Sequence, residues 1–493
     1  MRGKARHRPR PTCTPGLESL DDRTLLSTGW AAALGTAGTT SAHGVALDPG
    51  GAAVYVAGSQ LSKYTTGGQL LWSQGLGGSS ASAWSVVVDP SGDAVVTGTY
   101  TGTITLGTAT LTSAGGNDAL VARFDPSGNV LWAESFGGSG YDQATGLAVD
   151  ATGAAYVTGR FSNTVAFDAT HSLTSAGNTD AFVLKLDASG DVVYATQAGG
   201  TGADVGIGLA VDGGGQAYVT GYFAGTASFG ATNLTAPGAY AAYVAQLDAN
   251  GNFTWARPMG STAATDPSYA QAQGVALDGS GHVFATGTFT GTTAFGDASD
   301  GTGATSLTAQ GKTDAFVTSL DASTGHFLWT EQIGGSAGTH GYGLALDAAG
   351  DVYTAGAFAG QNLGIDADPG PGSALLAIQS SSLFQDGYVS ELSPTGGFLG
   401  AWQMGTTGNS TTTPSGIAVG SDGSVYTAGI FTFATRIDTG TQYATLTSSQ
   451  RDGFVSRMTP GQGALLGQVF SDPNRNGVRD TGEPALAGVT VYL

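Results

Sequence analysis

The sequence predicts an all-β chain: seven four-stranded antiparallel units closed into a ring, then the opening of a second, β-sandwich-like segment. Of 493 residues 82 are Gly, while Glu and Lys number only 5 and 4, too few of the residues that ordinarily fill exposed helix faces. Val, Thr, Phe, Tyr and Ala stand in short runs punctuated by Asp-Pro and Asp-x-x-Gly, the pattern of strands joined by tight turns. One unit recurs along the chain: Gly-Leu-Ala-Val-Asp, Tyr-Val-Thr-Gly-x-Phe, Asp-Ala-Phe-Val-x-x-Leu-Asp, then Trp and Gly-Gly. The glycines follow no strict three-residue period, which excludes collagen.

The four segments of the unit are strands a, b, c and d. Strand a ends at Asp48, Asp89, Asp150, Asp212, Asp278, Asp347 and, diverged, Gly420. Strand b ends at Gly58, Gly98, Gly159, Gly221, Gly287, Gly356 and Gly429. Strand d carries an aromatic at Trp72, Trp132, Tyr194, Trp255, Trp329 and Trp402, one fewer than the copies of a and b. The missing member stands at the other end of the chain, where Trp30-Ala31-Ala32-Ala33 matches Trp132-Ala133-Glu134-Ser135. The N-terminal strand therefore closes the last unit and leaves no open sheet edge. One such unit has two faces to bury and cannot stand alone, whereas units packed radially bury them against each other. The prediction is a seven-bladed β-propeller over residues 28–460. After the first unit, extra sequence lies between b and c, as at residues 102–115. Since b–c and d–a connections emerge together, one face is thickened, and a ligand is expected there.

These repeats resemble the SBBP family of seven-bladed β-propeller repeats, most clearly at Gly146–Gly159 and Gly208–Gly221, over about Trp30 to Pro460. The resemblance implies the fold; propellers serve as lectins, lyases, dehydrogenases and plain scaffolds, so it implies no activity.

Residues 1–27 form a basic leader with Arg2, Lys4, Arg6, Arg8 and Arg10, followed by Leu17-Glu18-Ser19-Leu20-Asp21-Asp22-Arg23-Thr24-Leu25-Leu26-Ser27. The second stretch resembles the LEPR-XLL type of leader found on large bacterial surface proteins, which implies export; the alternative is a disordered tail. Beyond the leader the chain is strongly acidic, with a net charge of −20 overall. Such a body repels nucleic acid and anionic lipid. No apolar run is long enough for a membrane span, and the single Cys13 excludes an internal disulfide.

Several periodic residues invite functional readings. The strand-a aspartates are each followed by a two-residue turn and Gly, so turn formation is preferred over a calcium ring. The aspartates before strand c (Asp118, Asp180, Asp314, Asp386 and Asp452), with Ala239-Tyr240 in their place in the fourth unit, are read as repeat architecture. The strand-d tryptophans are read as inter-blade packing rather than sugar platforms. The histidines are scattered without metal or catalytic spacing, although His43 and His340 fall just before strand a on the expected ligand face.

Residues 472–483 are different in kind and fit D-x-[DN]-x-[DN]-G-x5-E throughout. Asp472, Asn474, Asn476, the Val478 carbonyl, Asp480 and Glu483 would supply the oxygens that Ca2+ requires, with affinity in the range of roughly 0.1–1 mM. The flanks, Leu465–Phe470 and Val489–Leu493, read as strands and not as EF-hand helices. Residues 467–493 resemble the start of an SdrD B-like domain, a calcium-bound stalk repeat of bacterial adhesins. That family domain is longer, so 461–493 is expected to be an incomplete copy. Together these features lead to an extracellular or cell-surface, non-enzymatic, monomeric protein with a glycan or protein ligand and a calcium-binding stalk. The rivals are a propeller enzyme acting on extracellular polysaccharide, for which Arg123, Arg160, Lys185, Arg257 and Lys312 offer little, and a passive spacer.

Overall fold

A computed structural model describes residues 29–460 except 35–39, 79, 262–267, 297–304, 361–363, 378–383, 406–409 and 439–442. The leader and the C-terminal segment, including the candidate calcium loop Asp472 to Glu483, lie outside the described residues. Within them the regular structure is strand, and no helix is long and apolar enough to cross a membrane.

Consecutive strands pair antiparallel in the order a, b, c, d, as in 42–47, 53–58, 60–65 and 70–75 of the first repeat. Five sheets hold one such meander each, two of them four-stranded and three six-stranded. An eight-stranded sheet takes in the meander spanning 338–404, the strands 412–419, 425–438 and 443–458, and the N-terminal strand 30–33. In that sheet Trp30 lies opposite Arg457 and Ala33 opposite Phe454. The chain's first strand therefore serves as strand d of its last repeat.

The extra strands come from the insertions between b and c. Each is a hairpin, and most lap onto the outer strand of the preceding repeat: Ser228 opposite Gly199, Ala294 opposite Gly260, Ile365 opposite Gly335 and Ile437 opposite Met404. The last of these pairings joins two meanders into the eight-stranded sheet. All four contacts fall where strand d ends and strand a is about to begin, so the hairpins share one face of the molecule.

Strands b and c, such as Ala94–Tyr100, Asp118–Phe124 and Ala241–Leu247, are buried along their whole length. Their near-continuous apolar sequence reflects packing on both faces against neighbouring meanders. Strand d alternates, and its Leu71, Leu131, Val193 and Leu328 face solvent at the rim. Strand a of each meander lies against strand a of the next, from 42–47 through 81–88, 143–149, 205–211, 270–277 and 338–346 to 412–419, and 412–419 returns to 42–47. The described domain is a closed β-propeller.

The outer strands are tied the same way. The indole N–H of Trp72 donates to Pro126 O of the next repeat's c–d turn, Trp132 to Ala188 O, Trp255 to Ala322 O and Trp329 to Pro394 O. Trp30 makes the corresponding bond to Thr66 O, at 2.8 Å, and so links the last repeat to the first. Beneath Trp132 sits Gly190, whose φ of 93° suits the turn and whose missing side chain admits the ring. The tryptophans are thus inter-blade packing, as their spacing implied. The strand-a aspartates close turns: Asp150 Oδ1 accepts from the backbone N–H of Thr152 and Ala154, and Asp212 Oδ1 from Gly214 and Gln216.

Strand b runs past its motif glycine in every repeat but the first, as in Ala217–Phe223, rather than ending there, and that glycine answers to a contact. A Cβ on Gly221 would stand 1.9 Å from the carbonyl oxygen of Val205, whereas one on Gly213 would meet nothing within 4 Å. Gly221→Ala should therefore cost about 3 kcal/mol of stability, and Gly213→Ala should stay within about 0.5 kcal/mol of the parent. Equal urea midpoints for the two variants would contradict this packing.

Candidate functional site

The c–d ladders slip by one residue in six repeats, and strand a slips as well. Its register against strand b jumps by one residue between Ala42 and Gly44, Ala83 and Ser85, Ala144 and Gly146, and Gly206 and Gly208. The same jump occurs between Ala272 and Gly274, Gly341 and Gly343, and Pro414 and Gly416. A bulge leaves one residue without a partner and re-aims its side chain. Those residues are His43, Trp84, Thr145, Ile207, Gln273, Tyr342 and Ser415, and all of them line one central cavity of about 550 Å³.

The flanking small residues let the bulges meet. A Cβ on Gly208 would lie 2.4 Å from Gln273 O, and one on Gly416 would lie 2.7 Å from His43 O. The inner strands therefore approach backbone to backbone, which leaves the bulge side chains as the chief variable matter around the opening. The bulges lie early in strand a, beside the d–a connections, so the opening is on the face that carries the hairpins. Deeper in, the channel continues into an apolar bore of about 490 Å³ lined by residues such as Val45, Leu47, Val88, Val149 and Leu277.

The mouth is aromatic and polar. His43 packs on Trp84 with ring centroids 4.5 Å apart, and Trp84 is still 37% exposed. His340 stacks on Tyr342 at 5.9 Å and 4° between planes. The Arg160 guanidinium lies 4.7 Å over the Tyr141 ring, and the edge of Tyr222 meets Tyr240 at 5.2 Å. Burial, with a smaller push from Arg451, lowers the His43 pKa to about 4, and burial lowers that of His340. Burial raises Tyr342 to about 12, and it raises Tyr222 against the opposing pull of Arg160. At neutral pH the two imidazoles and both phenols are uncharged, and Arg160 is the cation among the lining residues.

Of the residues singled out in the sequence, His43 lines the mouth and His340 supports it. The pre-strand-c aspartates are structural: Asp118 Oδ2 accepts from Ala114 N–H, Asp180 Oδ2 from Ala176 N–H and Asp314 Oδ2 from Gln310 N–H, all three carboxyls buried. In the fourth repeat it is Ala241 that takes the aspartate's place, opposite Phe223, rather than Ala239-Tyr240. Arg123 is spent on a buried ion pair with Asp89, and Lys185 lies 3.7 Å from Asp150. Among the described residues no group of three His, Cys, Asp or Glu is placed to hold a metal ion.

Sequence reading missed the ring of bulge residues. Its signal was present: the position just before the strand-a glycine is His, Thr, Ile, Gln, Tyr and Ser in six repeats, and Trp before Ser85 in the other, while the positions after it stay apolar. A position that varies inside a repeat otherwise held constant is not fixed by the packing the repeats share and is available for recognition.

No family model matches the chain. An uncharacterized WD repeat-containing protein, L264 of Acanthamoeba polyphaga mimivirus, is 27% identical over 155 residues, covering 28% of this chain and 11% of that protein. The chain thus spans about a tenth of the length of this curated relative. Among solved structures, BamB from Moraxella catarrhalis aligns with a TM-score of 0.33 and 12% identity over 85% of this chain and 84% of its own. A chain of the mitotic checkpoint complex aligns at 0.40 and 13% over 92% and 99%. A protein of unknown function from Bacteroides caccae aligns at 0.32 and 12% over 62% and 94%. Likeness at this level assigns no activity.

His43 yields a test of the mouth's geometry. Held neutral in the fold below its ordinary pKa, it binds fewer protons folded than unfolded, so its contribution weakens the fold as pH falls from 6.5 to about 4. Its imidazole resonances should titrate with a midpoint near 4. Trp84→Ala should move that midpoint up toward 6.5 by opening the ring to water. An unchanged midpoint would detach His43 from Trp84.

Proposed function

We propose that the chain is an exported, non-enzymatic surface protein whose seven-bladed propeller binds an extracellular glycan or protein at the hairpin-face mouth. The count of seven rests on reading the eight-stranded sheet as two blades fused by the Met404–Ile437 pairing, beside the five sheets that hold one meander each. The observation that carries the binding function is the ring of seven bulge residues, each of a different type, aimed into one cavity. A passive spacer has no use for that variety. Arg123 and Lys185, which an enzymatic reading would draw upon, are held in ion pairs away from the mouth. The leader and the loop Asp472 to Glu483 support export and a calcium-stiffened stalk.

The full chain, immobilised in millimolar calcium and again in chelator, should retain a defined glycan or envelope protein. Trp84→Ala combined with Tyr342→Ala should cut that retention at least tenfold without lowering the melting temperature. Retention untouched by the double substitution would place the ligand elsewhere, and none at all would leave the propeller as a spacer.

Calcium should protect the chain from proteolysis near residue 475. Asp472→Ala with Glu483→Ala should abolish the effect, and protection that persists would refute the loop assignment.

A further inference from the structure

Arg160 is the feature of the mouth that the binding function leaves unexplained. The chain carries 37 acidic residues against 17 Lys and Arg, yet no Asp or Glu lines the cavity that Arg160 enters. Among the described residues its guanidinium has neither a carboxylate partner nor a hydrogen bond, and its Nε is buried without an acceptor. It lies over the Tyr141 ring, 4.7 Å from its centroid, and near enough to Tyr222 to oppose the rise of that phenol's pKa. Stacking of this kind holds a guanidinium flat and leaves the N–H groups on its edge to be satisfied in plane. A buried donor without an acceptor costs free energy comparable to a lost hydrogen bond. A ligand carboxylate pairs with the two terminal N–H groups through two parallel bonds, while the buried Nε lies beyond its reach.

The other groups around the opening restrict what can carry the carboxylate. Gln143, Gln273 and Ser415 offer uncharged donors and acceptors, the pattern that pairs with hydroxyls, Thr145 offers an acceptor since its own proton goes to Gly206 O, and Trp84 and Tyr342 offer apolar ring faces. About 550 Å³ is within the range of small-molecule sites and holds one or two sugar rings. One cation in the lining matches one negative charge in the pocket. An acidic peptide would present several charges with few hydroxyls.

We infer that the mouth recognises a carboxylated glycan, of the uronic or sialic acid type, with the sugar acid on Arg160 and a ring face on Trp84. This rests on the mouth being the binding site, as proposed above.

The test titrates the full chain, in chelator, with oligogalacturonate, oligoglucuronate and a sialylated trisaccharide. Each is compared with its methyl ester, and an acidic tetrapeptide is included. At least one acid should bind tenfold or more tighter than its ester, with the preference shrinking as salt rises. Arg160→Gln should bring the acid down to the level of the ester at an unchanged melting temperature, and Arg160→Lys should restore part of the preference. Trp84→Ala should weaken acid and ester alike. Equal binding of acid and ester, still weakened by Trp84→Ala, overturns the carboxylate and leaves the mouth as a site. Tighter binding of the peptide, or no binding of any carboxylated glycan, overturns the ligand class. Binding indifferent to both Trp84 and Arg160 overturns the mouth itself.

Discussion

Strands b and c of each repeat are apolar on both sides and buried along their length, and the rest of the molecule follows from what that demands. A four-stranded meander of this kind has two faces to hide and nothing of its own to cover them. Stacking in a line would hide all but the end faces, and only a closed ring removes the ends as well. Closure falls to a short segment, Trp30–Ala33, which brings a strand and an indole from the start of the chain to its last repeat. It gives the final sheet its outer edge and joins the first and last repeats across the seam, without a disulfide.

The same closure creates the opening at the centre. Inner strands that converge on an axis are crowded, and Gly208, Gly274 and Gly416 let backbones approach where a Cβ would collide with a neighbouring strand. A regular ladder would send every strand-a side chain into the flanking meanders or along the bore. The bulge in each strand frees one residue from that constraint. Packing thus separates two kinds of position within a few residues of each other: glycines and small residues that the ring cannot vary, and bulge residues that it does not restrain. The hairpins laid over the outer strands raise the rim on the same face.

Much of this architecture was legible in the residues. The strand order, the turn role of Asp150 and Asp212, the packing role of Trp72 and Trp132, and the use of Trp30 in the last repeat all follow from local patterns that recur. Repetition makes such patterns readable because each copy answers the same packing demand. The mouth was legible only in part. His43 stood out as a histidine on the expected face, whereas Trp84, Gln273 and Tyr342 are marked only by a position that varies between repeats while its neighbours do not. Arg160 was noticed as one of several scattered cations, with no sign that it differed from Arg123.

The sequence by itself determined an all-β repeat fold, the antiparallel meander and the turns that close it, because these depend on alternation, turn chemistry and contacts among near neighbours. The tertiary structure decided which residues meet at the centre. Residues from 43 to 415 come together there because seven inner strands converge on one axis. It also decided that Asp89 is consumed in neutralising Arg123 while Arg160 faces a cavity without a carboxylate. Charge pairing depends on which strands lie side by side and on how far each is buried, and one-dimensional spacing carries neither.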